Sequence, residues 1–122
     1  MFRAGIRYRI GGKQMPKDDD EVWTIAMFDL PVGTKTQRRK ATEFRNYLLD
    51  LGFWRAQYSV YAHYLPTSNA TVNLVRAIKS ALPPEGEVRI VTITDKQWSK
   101  GLRFSNRVET YSEDAPTLFT LF

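Results

Sequence analysis

The stretch VWTIAMFDLPVGTKTQRRKATEFRNYLLDLGF, residues 22–53, decides the fold. Its first part, Val22 to Phe28, is a short apolar run closed by Asp29, Leu30, Pro31 and Gly33. A run of that length, bounded by turn residues, reads as a strand buried on both faces. Thr34 followed by Gln37 then fits a capping box, in which two side chains satisfy backbone N–H groups at a helix start. Ala41, Phe44, Leu48 and Leu51 recur at three and four residues and form one apolar stripe, with Arg38, Arg39 and Arg45 mostly off it. Gly52 stands where the end of a helix favours positive φ.

Working outward, FWRAQYSVYAHYL, from Phe53 to Leu65, is rich in aromatic and β-branched residues. It is long for one strand and reads as two strands joined by a tight turn or bend. Thr67 or Ser68 can cap a second helix carrying Val72, Val75, Ile78 and Leu82, which Pro83 and Pro84 must end. EVRIVTIT, Glu87 to Thr94, is a further strand, and KQWSKGLRFSNRVETY beyond it reads as a loop and a short edge strand. The order strand, helix, strand pair, helix, strand predicts an α+β fold: a ferredoxin-like βαββαβ sandwich, with an antiparallel sheet and two helices on one face. Residues 21–111 form this domain. Residues 1–20, which mix Gly, Lys and Arg with Asp18, Asp19 and Asp20, read as a mobile basic arm, and residues 112–122 as a tail that docks either on the chain's own core or dimer partner or on another protein.

The chain has 122 residues, enough for one domain with a genuine core, and a net charge of +5. That balance favours a polyanionic partner, and the charge is patterned. Lys35, Arg38, Arg39, Lys40 and Arg45 crowd together against Glu43 alone. Lys96, Lys100, Arg103 and Arg107 have no acid among them, and the residues from Glu109 onward carry three acids and no base. No segment has the apolar length of a membrane span, and the first residues lack the apolar core of a secretory signal. The absence of cysteine rules out disulfides and permits a reducing cytoplasm, while the single histidine, His63, rules out a two-histidine metal site within one chain.

Asp29 ends an apolar strand, where a carboxylate can project over the sheet edge. Two roles are open to such a residue: bonding backbone N–H groups in the following turn, or holding a hard cation such as magnesium with water and phosphate completing the shell. The basic helix has two roles as well, a solvated face or a set of phosphate contacts. Tyr58, Tyr61 and Tyr64 invite a base-stacking reading, but alternation puts Tyr61 on the face opposite Tyr58 and Tyr64, so packing is expected for most of them. His63 is expected at the surface and not as a catalytic base.

MFDLP at 27–31 and TKTQRRKATEFRNYLLDLGF at 34–53 resemble the opening of the second CRISPR-associated adaptation protein family (Cas two). QYSVYAHYL at 57–65 is similar to that family's Gln-x-Ser-Val-Tyr strand. LPPEGEVRIVTITDKQW at 82–98 is similar to its final strand, in the version found alongside type II effector nucleases. The resemblance runs from about Val22 onward. It departs at His63, where relatives often carry an Arg that would contact phosphate more strongly.

The resemblance implies a ferredoxin-like cytoplasmic homodimer that binds double-stranded DNA, or RNA, and bridges CRISPR integrase subunits during spacer acquisition. It implies Mg2+ or Mn2+ held between the two Asp29 carboxylates, with Asp29 both metal ligand and catalytic residue of a metal-dependent endonuclease. Lys35, Arg38, Arg39 and Arg45 would carry the phosphate contacts. Leu118, Phe119, Leu121 and Phe122 would dock the integrase partner. Two other roles stay open at this point: a structural scaffold without catalysis, and a single-stranded RNA-binding module.

Overall fold

A computed structural model describes residues 16–115. The arm as far as residue 15, and the tail residues Leu118, Phe119, Leu121 and Phe122, therefore lie outside the described residues. The elements are β1 (Val22–Asp29), α1 (Lys35–Asp50), β2 (Trp54–Gln57), β3 (Val60–Leu65), α2 (Thr71–Ser80), β4 (Glu87–Thr94), α3 (Asp95–Ser99), β5 (Arg103–Ser105) and β6 (Val108–Thr110). The first four strands form one antiparallel sheet in the order β2-β3-β1-β4, the ferredoxin-like arrangement expected from the sequence. β1 lies in its centre, with both edges bonded to neighbours.

The local chemistry of α1 explains its limits. Thr34 Oγ1 accepts from the Gln37 N–H, and Gln37 Oε1 accepts in return from the Thr34 N–H, closing the capping box. At the other end Gly52 donates to Leu49 O and Phe53 to Leu48 O, a Schellman pair that requires the left-handed φ of +103° at Gly52. Ala41, Phe44 and Leu48 are buried between these caps, and Phe44 and Leu48 pack with Phe53 and with Val22, Ala26, Phe28, Tyr61 and Leu65 of the facing sheet.

α2 turns differently from expectation. Ile78 points inward as expected and Val75 is half-buried, but Thr71 and Leu74 complete the buried side, whereas Val72 and Leu82 are exposed. A 3-10 turn at Ser68–Ala70 precedes the helix, and neither Thr67 nor Ser68 caps it through a side chain. The Ser68 hydroxyl donates instead to the Lys17 carbonyl and the Asn69 N–H to Asp18 O, so residues 17–18 are tied to the start of α2. FWRAQYSVYAHYL divides as predicted, with the turn at Tyr58 and Ser59, where Ser59 takes a φ of +63°.

The second sheet face carries its own cluster, which the sequence pattern did not separate from the first. Trp23 stacks on Trp98 at a centroid distance of 4.7 Å and makes edge contacts with Trp54 and Tyr64. α3, read as loop from the sequence, delivers Trp98 to this face. It starts with a second capping box, Thr94 with Gln97, and Trp98 Nε1 donates to Glu113 O at 3.0 Å. Residues 113–115 thereby lie against the sheet. β5 and β6 form a separate hairpin whose turn, Asn106 and Arg107, has positive φ at both positions, the backbone that matches strand twist.

Candidate functional site

Asp29 is the last residue of β1. Alternation along the strand places it with Trp23, Ile25 and Met27 on the face away from α1 and α2, and it is exposed. The turn that follows is organised by other residues. Gln37 Oε1 accepts from the Gly33 N–H at 2.9 Å and from the Thr34 N–H at 3.0 Å, and Arg38 Nη1 donates to the carbonyls of Val32 and Gly33. The turn-bonding role open to Asp29 is thus filled by α1, and no hydrogen bond reaches the Asp29 carboxylate from the other described residues. The carboxylate is left facing solvent.

The β1–β4 register pairs Asp29 directly with Glu87. Opposed residues of an antiparallel pair share a face, so two carboxylate-bearing residues stand side by side there, a pairing that is unfavourable between like charges directly opposite. Arg89, opposite Met27 on the same face, relieves part of the repulsion through a 3.8 Å contact with Glu87. Neither Glu87 nor Arg89 was legible as a neighbour of Asp29, because only long-range strand register brings them together. Among the described residues no group of three or more His, Cys, Asp or Glu is placed to hold a metal ion. The donor set still suits magnesium or manganese. Such cations take hard oxygens and commonly one or two protein carboxylates, with waters and phosphate completing the shell. Asp29, with Glu87 beside it, could supply those oxygens.

The basic residues of α1 are surface groups with uneven freedom. Lys35 is exposed, and Arg38 is tied to the turn after Asp29. Arg39 pairs with Glu43 at 3.2 Å and Lys40 approaches the same carboxylate, contacts that solvent screening makes weak. Arg45 donates to Thr42 Oγ1 and borders the apolar stripe. Together they form a basic ridge on the helix layer, next to the Asp29 turn at its N-terminal end.

Two other sequence expectations can be placed. Tyr61 is buried against Phe28 in the helix-side core, and Tyr64 packs on Trp23 and donates to Glu21 Oε1 at 2.5 Å. Burial, with the Glu21 carboxylate, holds the Tyr64 phenol well above its usual range. Only Tyr58 is exposed, beneath the Arg55 guanidinium, so the three tyrosines do not make a stacking platform. His63, expected at the surface, is half-buried: alternation turns it to the helix side, where its ring meets Phe53 edge-on and sits under the α-carbon of Gly52. Burial lowers its pKa, and hydrogen bonding to the backbone at Leu51 and Tyr64 only partly opposes that.

Among the described residues, nothing covers the apolar side chains on and beside the β5–β6 hairpin. Phe104 is 61% exposed, Leu102 73% and Tyr111 92%. A two-stranded hairpin is marginal by itself in water, and large exposed apolar groups mark contact surfaces.

The family model described as "CRISPR associated protein Cas2" matches residues 22–101. A protein of Paracidovorax avenae named "CRISPR-associated endoribonuclease Cas2" is 43% identical over 101 residues, covering 83% of this chain and 94% of the relative. Proteins with the same name from Parvibaculum lavamentivorans and Campylobacter jejuni are 38% and 33% identical, covering 83% and 85% of this chain and 100% and 76% of their own lengths.

Proposed function

This chain belongs to the CRISPR-associated protein Cas2 family, and from that premise we propose that it is a cytoplasmic, homodimeric, metal-dependent endonuclease of RNA or DNA that also bridges integrase subunits during spacer acquisition. The observation that carries the reading is the Asp29 carboxylate, exposed at the end of the central strand while Gln37 and Arg38 do the structural work of the turn behind it.

Asp29 would hold Mg2+ or Mn2+, with the same residue of the second protomer and with Glu87 available on the same face. The chemistry such a cation supplies is charge neutralisation at a phosphodiester and activation of water. This chain's own residues would do the rest. Arg89 lies on the face of Asp29 and can neutralise a scissile phosphate. Lys35, Arg38, Arg39 and Arg45 can grip backbone phosphates of a duplex along α1, Arg forks matching phosphate oxygens in pairs.

The exposed Leu102, Phe104 and Tyr111 support a subunit contact through the hairpin. Leu118, Phe119, Leu121 and Phe122 are proposed to dock the integrase subunit. No helix among the described residues is long and apolar enough to cross a membrane.

The test is cleavage of labelled RNA and DNA oligonucleotides with magnesium. Cleavage by the wild type that is lost in Asp29→Ala supports the endonuclease. No cleavage, together with co-purification of an integrase subunit, would leave the scaffold role and remove the catalytic one.

A further inference from the structure

Gly86 stands immediately before β4, opposite the end of β1, and two observations make it more than a linker. Its φ is +95°, a backbone that side-chain-bearing residues rarely adopt. Its α-carbon also lies against the turn that carries Asp29. A Cβ built at Gly86 would stand 2.7 Å from the Asp29 carbonyl oxygen, 2.8 Å from Leu30 Cδ2 and 3.0 Å from Pro31 Cδ. The first of these is a backbone atom of the residue itself, so the clash cannot be relieved by rotating a side chain. The connector that contains Gly86 is fastened on its other side as well, since Gln37 Nε2 donates to Glu85 Oε1 at 3.2 Å while Gln37 Oε1 holds Gly33 and Thr34. Residues 29–34 are therefore clamped between Gly86 and Gln37.

We propose that Gly86 is a positioning residue for the Asp29 carboxylate: the close approach of its bare α-carbon fixes the backbone from which that carboxylate projects. The inference rests on the reading of Asp29 as a metal ligand. A side chain at 86 would push Asp29, Leu30 and Pro31 away from β4 and break the alignment of Asp29 with Glu87. An outer-shell disturbance of this kind weakens metal binding by about 10-fold or more.

The chain offers its own control. Gly52 also has a left-handed φ, +103°, and a Cβ there would meet His63 Nε2 at 2.8 Å. It lies toward the opposite end of β1, since His63 pairs with Thr24. Gly52→Ala therefore carries a similar backbone penalty with no path to Asp29.

The experiment is calorimetric titration of the full chain with Mn2+ alone. Gly86→Ala and Gly86→Asn should each bind about 10-fold more weakly than wild type or worse, while Gly52→Ala keeps the wild-type affinity. Asn tolerates positive φ better than Ala and retains the intruding Cβ, so the test does not depend on the Ala variant folding. Wild-type affinity in the Gly86 variants overturns the inference and leaves Asp29 standing. So does an equal loss in Gly52→Ala, which would show general loosening. Unchanged binding in Asp29→Asn, or no Mn2+ binding by wild type, overturns the reading of Asp29 and this inference with it.

Discussion

The two ends of β1 lie in one strand yet obey different physics. At the Val22 end every group is held. Trp23 is buried, stacked on Trp98, and donates from Nε1 to Asp95 Oδ1 at 2.7 Å, and the Asp95 N–H bonds the Glu21 carbonyl. At the Asp29 end a carboxylate faces solvent with another carboxylate opposite it, while the turn behind it is secured by Gln37, Arg38 and Gly86. One end is arranged for stability. The other presents like charges side by side from a fixed backbone.

The comparison can be broken most forcefully at the held end. Trp23→Ala should cost about 3–5 kcal/mol in urea unfolding, since it removes the hub of the second-face cluster. A loss below about 1 kcal/mol would show that α3 and residues 113–115 do not depend on that hub.

That hub also marks where sequence reading reached and where it stopped. α1 was legible from end to end because its signals are local: Thr34 with Gln37, the stripe from Ala41 to Leu51, and Gly52. α2 was placed with Ile78 on its buried side, but Thr71 and Leu74 share that side while Val72 and Leu82 do not, because a ten-residue helix with apolar residues at 72, 74, 75 and 78 leaves its stripe ambiguous by local spacing alone. α3 was missed although Thr94 and Gln97 repeat the spacing of Thr34 and Gln37. Five residues are too few to show periodicity, but the capping signal was there. At the candidate site Asp29 could be named from its strand-end position. Glu87, Arg89 and Gly86 could not, because strand register and the α2–β4 connection alone bring them to Asp29.

The next effect concerns the basic ridge beside the Asp29 turn. The double variant Arg38→Ala with Arg39→Ala should bind duplexes of any sequence more weakly. The slope of log affinity against log salt should flatten by about 0.9 for each phosphate that is no longer neutralised. An unchanged slope would assign both residues to solvation alone. The fold should survive, since both side chains are exposed and Gln37 still holds the Gly33–Thr34 turn when the Arg38 contacts are lost.

A smaller effect belongs to His63, at the held end. Burial keeps its folded pKa below the ordinary 6.5, so the unfolded chain takes up the proton first. Its contribution is level above the unfolded value and declines as pH falls through it toward the folded one. The urea midpoint should therefore drop between about pH 7.5 and about pH 5.5, and His63→Gln should shrink that drop. Identical profiles for the two proteins would contradict the buried placement of the ring.

The smallest effect sharpens the contrast at the open end. Without divalent metal, Asp29→Asn should raise stability by about 0.2–1 kcal/mol, because it removes the like-charge pair with Glu87. A destabilised variant would mean that Asp29 serves the fold, as Trp23 does.

The most direct test of the open end is a thermal midpoint measured with and without Mn2+ on wild type and Asp29→Ala. A cation that binds only the folded chain raises its midpoint by mass action. Wild type should show a concentration-dependent rise and Asp29→Ala none; an equal rise in the two proteins would remove Asp29 as the ligand.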